Sequence, residues 1–249
     1  SNPKLIFELY KEHGETFVHI LNGDFAIVIY DPQSKLVLLY RDHLGIRPLA
    51  YSWTKDEFYF STDILGLCSS VDDSIDESFL VQFLQDSSYI EYRALPTKKV
   101  HKLLPGHYLK ANSKKCTQQQ YWFPEKIRLD KNLSCEIVVE ELSSLVRDAV
   151  KIRCDQSRKG ASHLSGGLDS SLVSALTRME YCEQDAFPGL SWSPGNEYNR
   201  TEYYDERSGI LELSEEYRIE PVFCNLNVDE YWKDLSDWQI GRASCRERV

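Results

Sequence analysis

The sequence predicts an α+β domain followed by an α/β domain built on a parallel sheet, and three observations carry that expectation. Up to residue 121, apolar runs of strand length pair around turn signals, with helical patterns at their flanks. Beyond residues 121–124 the order becomes helix, strand, glycine loop, helix, strand, helix, strand. At the centre of that second part stands S-G-G-L-D-S-S, residues 165–171, with two glycines set between a strand and a helix. Strands paired with near neighbours suit an α+β layer arrangement, whereas strand–helix–strand alternation suits parallel strands joined by crossovers.

Taken in order, residues 1–19 carry an apolar helical period through Leu5, Ile6, Leu9 and Tyr10, with Glu8, Lys11 and Glu12 on the wet side. Asn22 and Gly23 then punctuate the chain. Residues 24–30 and 35–41 are continuous apolar strands around an Asp31–Pro32 turn, and so form a hairpin. Residues 49–53 and 57–61 make a second pair. A helix is expected over 75–85, with Asp73 or Ser74 as its N-cap and Phe79, Leu80, Phe83 and Leu84 facing inward. Two short strands should flank the Leu104, Pro105, Gly106, His107 turn. In the second part, Ile137, Val138, Leu142, Leu145, Val146, Ala149 and Val150 recur at three- and four-residue steps, predicting a helix over 136–150. Strands at 161–164, 186–192 and 222–225 and helices at 170–179 and 204–217 complete the alternation. The boundary falls between residues 122 and 130, and no internal repeat is evident.

Composition narrows the function classes. A chain that is 42% hydrophobic and 27% charged can build packed cores, and its apolar runs are strand-sized, far short of a membrane span. The net charge of -10 argues against an electrostatic grip on nucleic acid or an anionic membrane. None of the seven cysteines forms a C-x-x-C pair or lies at zinc-finger spacing from a histidine. Reduced, mostly buried thiols in a cytoplasmic protein are therefore expected. There is no initiator methionine and no targeting segment, and residues 240–249 (I-G-R-A-S-C-R-E-R-V) resemble a translated sequencing adapter. The chain is expected to be a fragment whose folded part ends near residue 239.

The loop carries the chemistry. Amides of residues 165–171 should converge on one concavity backed by the positive end of the following helix, and the hydroxyls of Ser165, Ser170 and Ser171 add donors. A carboxylate at Asp169 would repel bare phosphate, so it makes sense as a Mg²⁺ ligand, direct or through water. A Walker loop needs a lysine before its Ser/Thr, and here that neighbour is acidic. The arrangement suits ATP whose pyrophosphate leaves while AMP is transferred.

Residues 164–172 (L-S-G-G-L-D-S-S-L) resemble the loop of the asparagine synthetase family. In the family's order, so do L-N-G-D-F-A-I-V-I-Y-D at 21–31, R-D-H-L-G-I-R-P-L at 41–49, L-L-P-G-H-Y-L at 103–109 and Tyr121–Trp122. The resemblance covers nearly all of residues 1–239. It implies the C-terminal portion of a class II glutamine amidotransferase-like domain of the N-terminal-nucleophile type over 1–124. Over 125–239 it implies the N-terminal portion of an ATP-pyrophosphatase-like synthetase domain. It further implies glutamine-derived ammonia, adenylation of a carboxylate such as aspartate, and ATP with Mg²⁺ as cofactors. Carried over, Ser165, Gly166, Gly167, Asp169, Ser170 and Ser171 would hold pyrophosphate and metal, while Leu164 and Trp192 sit where backbone groups of the family meet adenine. Neither the nucleophilic cysteine nor the later acidic motif and catalytic lysine falls in this sequence, so the chain by itself is expected to be inactive.

Two departures leave alternatives open. Asn2 falls where amide-making members carry an aspartate that pairs with glutamine's α-ammonium, and an amide loses that pairing. Ser191, Trp192, Ser193 and Pro194 replace the family's small glycine-bearing turn. Both features resemble the β-lactam synthetases and the macrolactam cyclases of lasso peptides, which use an internal amine in place of ammonia. A non-catalytic interaction protein retaining the fold is the third alternative. Expected partners are thus a small carboxylate or peptide with glutamine or an amine, and a homodimer stays open. Arg41, Asp42 and His43 have no nucleophile beside them and are expected in turn and interface roles. Asp205, Glu206 and Arg207 are expected on a solvated helix face.

Overall fold

The computed structural model describes residues 2–54, 56–71, 74–85, 95–130, 132–195 and 205–224. These fall into two compact units, one up to Arg128 and the other from Leu129.

The first unit begins with α1 (Asn2–His13). The helix expected to reach residue 19 stops there because Gly14 turns the chain with φ +59, and residues 14–20 continue as a 3-10 helix. Strands β1 (Ala26–Asp31) and β2 (Leu36–Arg41) form the expected antiparallel hairpin, with Ala26 opposite Arg41 and Asp31 opposite Leu36. Its turn is held by the Asp31 carboxylate, which accepts from the Gln33 amide at 2.9 Å and the Ser34 hydroxyl at 2.5 Å. Next come β3 (Ala50–Trp53), β4 (Phe58–Ser61), α2 (Ile64–Val71), α3 (Glu77–Gln85), β5 (His101–Lys102), β6 (His107–Ala111) and β7 (Cys116–Gln120). Two antiparallel sheets result, ordered β1-β2-β6-β7 and β4-β3-β5. Side-chain alternation along β2 feeds a cluster on each face of the larger sheet. Leu38 and Tyr40 pack with Phe17, Val18 and Tyr121, while Leu39 packs with Leu49, Leu103, Leu109 and Ala111.

Two expectations for α3 need correction, and two elements come in addition. The N-cap of α3 is Asp76, whose carboxylate accepts from the Ser78 amide at 2.9 Å; Ser74 lies further back, where Ile75 bridges Thr97, and Asp73 lies outside the described residues. The apolar side of α3 is not buried among the described residues, since Leu80, Phe83 and Leu84 are exposed and Phe79 stacks on Phe83. Helix α2 and strand β7 were not expected at all. The first is a short apolar run capped by Asp63, and the second (C-T-Q-Q-Q) lacks apolar alternation and is paired with β6 by the backbone ladder, with Tyr108 also donating to Gln119 across the pair.

The second unit runs α4 (Cys135–Lys151), β8 (Ser162–His163), α5 (Leu168–Glu180), β9 (Pro188–Ser191), α6 (Arg207–Tyr217) and β10 (Glu220–Phe223). All three strands are parallel, in the order β10-β9-β8. Ser134 caps α4 through its hydroxyl. Leu164, Phe187, Ile210 and Ile219 form the core, and Gly189 in the middle strand lies against it. A Cβ there would sit 2.7 Å from Ile219 Cγ2 and 2.8 Å from Leu164 Cδ2. Among the described residues no helix is long and apolar enough to cross a membrane.

Candidate functional site

The site is built at the carboxyl ends of β8 and β9, where ligands of open parallel sheets are held. Leu164 is buried, and its amide donates to the Leu190 carbonyl at 2.8 Å, which fixes the chain leaving β8 against the middle strand. Residues 165–167 then turn into α5. The helix begins at Leu168, two residues before the expected Ser170, because Gly167 is extended (φ -78, ψ 150) and acts as N-cap. Asp169 and Ser170 therefore lie in the first helical turn.

The two glycines are needed for closeness more than for turning. Neither has a positive φ. A Cβ on Gly166 would lie 2.9 Å from Glu206 Cβ and 3.1 Å from the Glu206 carbonyl oxygen, so only glycine fits between loop and α6. Gly167 has more room, its nearest neighbour being Ser165 Oγ at 3.3 Å.

Hydroxyls expected to face a ligand hold the loop itself. Ser165 and Ser170 share a hydrogen bond of 2.5 Å, and the Gly167 amide donates to Ser165 Oγ at 3.2 Å. Ser170 donates to the Gly167 carbonyl at 3.1 Å, and Ser171 to the Ser165 carbonyl at 3.2 Å. Donors that remain are backbone amides. Among the described residues, no acceptor lies on the first-turn amides of Leu168, Asp169 and Ser170, whereas Ser171 donates to the Gly167 carbonyl at 3.1 Å. Three open amides at a helix N-terminus make a site for an anion.

Most of the sequence-predicted residues thus come together: Ser165, Gly166, Gly167, Asp169, Ser170 and Ser171 form one loop, with Leu164 behind it. Trp192 stands just past the end of β9, 76% exposed, and Leu168 is 84% exposed at the start of α5. Asn2 belongs to the other unit, at the start of α1, and its side chain lies outside the described residues. Residues 225–249, including the adapter-like segment, also lie outside them. No group of three metal-ligating side chains occurs among the described residues.

The solvated face expected for Asp205, Glu206 and Arg207 is found only for Glu206, which is exposed; Asp205 is half-buried and Arg207 is buried. Arg207 is 5% exposed and pairs bidentately with Asp205, Nε to Oδ1 at 2.8 Å and Nη2 to Oδ2 at 2.9 Å. Its Nη1 also donates to the Gly195 carbonyl at 2.8 Å, tying the chain after β9 to α6. Glu206 accepts from the Gly166 amide at 3.1 Å. These contacts of Arg207 and Glu206 escaped sequence reasoning because the partners lie 12 and 40 residues away.

Arg41 and Asp42 have the expected turn role. Arg41 donates to the carbonyls of Gly45, Arg47 and Leu103, and Asp42 accepts from the amides of Ile46 and Arg47. His43 packs edge-on to Phe25, Tyr121 and Trp122.

With this geometry in hand, known proteins give a consistent comparison. A family model described as a glutamine amidotransferase domain matches residues 1–122, and one described as asparagine synthase matches residues 141–238. The chain is 32% identical over 218 residues to the amidase chyE of Penicillium rubens, covering 85% of this chain and 32% of that protein. It is 29% identical over 180 residues to the amidase chry2 of Gibberella zeae, covering 71% of this chain and 26% of that one. Against the glutamine-hydrolysing asparagine synthetase of Homo sapiens it is 32% identical over 212 residues, covering 78% of this chain and 34% of that protein. The chain therefore spans about a quarter to a third of the length of these relatives. Two domain matches in the family's order, joined by similarity over 78% of this chain to an asparagine synthetase, show that it belongs to the asparagine synthetase family.

Proposed function

We propose that this chain is part of an ATP-dependent amide-bond-forming ligase, and that its loop at residues 165–171 holds the pyrophosphate of ATP while a carboxylate is adenylated. The observation that carries this is the row of open amides at Leu168, Asp169 and Ser170, set at the carboxyl end of a parallel sheet beside a glycine with no room for a side chain. Carboxylate oxygen is a poor leaving group, and transfer of AMP onto it supplies a good one. What the protein must then do is hold the departing pyrophosphate, and backbone donors at a helix N-terminus do so without the water reorganisation that free solvent would need. The residues present fit the implied groups. Mg²⁺ keeps several waters and is held by one or two carboxylates plus substrate phosphates, so the exposed Asp169 beside the open amides suffices without an all-protein cage. Backbone groups of Leu164 and Trp192 would meet the adenine.

A second reading, attack by an internal amine of a linear substrate, rests on Asn2 and on the turn at Ser191, Trp192, Ser193 and Pro194. Substrate-dependent exchange of labelled pyrophosphate into ATP, measured on the full-length protein, separates these possibilities. Exchange with aspartate coupled to glutamine hydrolysis supports the first. Exchange with a linear amine-bearing substrate and no glutamine hydrolysis supports the second. Absence of exchange with any carboxylate would favour a non-catalytic role. Asp169→Ala is expected to lower exchange by at least about 100-fold, the scale of losing one preorganised electrostatic contact to a phosphoryl group, with the melting temperature unchanged. Full exchange in that variant would sink the loop assignment.

A further inference from the structure

Glu206 is the last residue before α6, and the Arg207 amide beside it is taken by the Asp205 carboxylate at 3.1 Å. The Glu206 carboxylate makes no cap of its own and accepts the Gly166 amide across the loop at 3.1 Å. Its reach is fixed by the backbone. Gly166 sits against the Cα, Cβ and carbonyl oxygen of Glu206, between 2.9 and 3.2 Å from where its own Cβ would be. The next residue, Arg207, is anchored to Asp205 and Gly195. Glu206 is exposed to solvent, yet its backbone and Cβ are packed on Gly166, and this presents its carboxylate to the loop.

A carboxylate oxygen and a phosphate oxygen are interchangeable acceptors for a backbone N–H, and one N–H cannot serve both in full. We propose that Glu206 is an intramolecular competitor for the phosphate loop, its carboxylate occupying the Gly166 amide that a phosphate oxygen of the nucleotide takes on binding. This inference rests on the loop's being a nucleotide site, as proposed above. Binding then requires Glu206 to release Gly166 and to move its charge away from the incoming anion. Apparent affinity is reduced by the fraction of molecules in which the contact is closed. Such a device keeps the loop's donors satisfied when empty and makes nucleotide capture report on the position of α6.

The test is direct titration of the full-length protein with MgATP, and separately with magnesium pyrophosphate, comparing wild type with Glu206→Gln and Glu206→Ala. Loss of one charge-assisted competing contact predicts binding tighter by about threefold to tenfold in both variants, more so in Glu206→Ala because the glutamine carbonyl still accepts from Gly166. Unchanged or weaker binding in the variants, with wild type binding normally, overturns the competitor role and leaves the nucleotide loop standing. A lower melting temperature together with weaker binding would mean that Glu206 braces the loop, and also overturns it. If wild type and variants alike bind neither ligand, the loop assignment and this inference fall together.

Discussion

Burial among three aromatic rings holds His43 below its ordinary pKa of 6.5, against the opposing pull of the Asp42 carboxylate and with a small further push from His19. The sign of the consequence follows from linkage. Folded protein keeps the ring neutral where the unfolded chain would protonate it, so the unfolded state binds more protons below pH 6.5. Stability is complete above that value and is lost as pH falls through the folded-state pKa. Urea midpoints measured between about pH 5 and 7 should therefore decline on the acid side, and His43→Gln should flatten that decline. An unchanged slope in the variant would show that another group carries it. At this scale the sequence was legible where a residue serves its own turn, as Arg41 and Asp42 do through bonds to residues 45–47. It was illegible where a residue serves a distant one, as Glu206 serves Gly166, because no local pattern distinguishes a carboxylate that crosses to another loop from one that faces water.

Glycines at the level of elements make opposite predictions. Gly189 lies in the middle strand β9, where an added methyl would press into Ile219 and Leu164, both core residues. Gly189→Ala should destabilise by about 1–3 kcal/mol, the usual cost of overpacking a filled core. Gly209 lies within α6 with its nearest foreign atom, Gly166 Cα, at 3.7 Å, an ordinary contact. Gly209→Ala should stabilise by about 0.5–1 kcal/mol by removing backbone freedom from a helix interior. Thermal melts of the two variants should move in opposite directions, and movement in the same direction would contradict the placement of one of them. The elements themselves were legible wherever period and punctuation agreed, as in the β1–β2 hairpin and the β8–loop–α5 unit. Strand β7 was missed because its polar sequence carries no apolar alternation, while its register with β6 is set by the backbone ladder. Helix α3 was found, but its inward face was not: a helical period reports that a face is apolar, and says nothing of what covers it.

At the scale of the whole chain, the two units are joined through a stretch with little to hold it. Every described residue from Pro124 to Ser134 is exposed, and regular structure there is limited to one 3-10 turn, Pro124–Lys126. Proteases need several consecutive residues of backbone that can leave the fold, and exposed segments with few hydrogen bonds supply them at the least cost. Beyond the Ile127 amide, which donates to Pro124, the described backbone makes no further backbone–backbone bond until the Ser134 carbonyl accepts from Val138. By contrast, the buried Arg41, Arg178 and Arg207 each donate to backbone carbonyls, which would have to be released before cleavage. Brief, dilute trypsin treatment of the full-length protein should therefore cut first after Lys126 or Arg128 within this chain, as read by the masses of the fragments. Both products should stay protease-resistant, since each unit has its own core, one around Phe17, Leu38 and Tyr40 and the other around Leu164, Phe187 and Ile210. First cleavage within either unit, after Arg41 or Arg178 for example, would mean that the chain opens inside a unit before it opens between them.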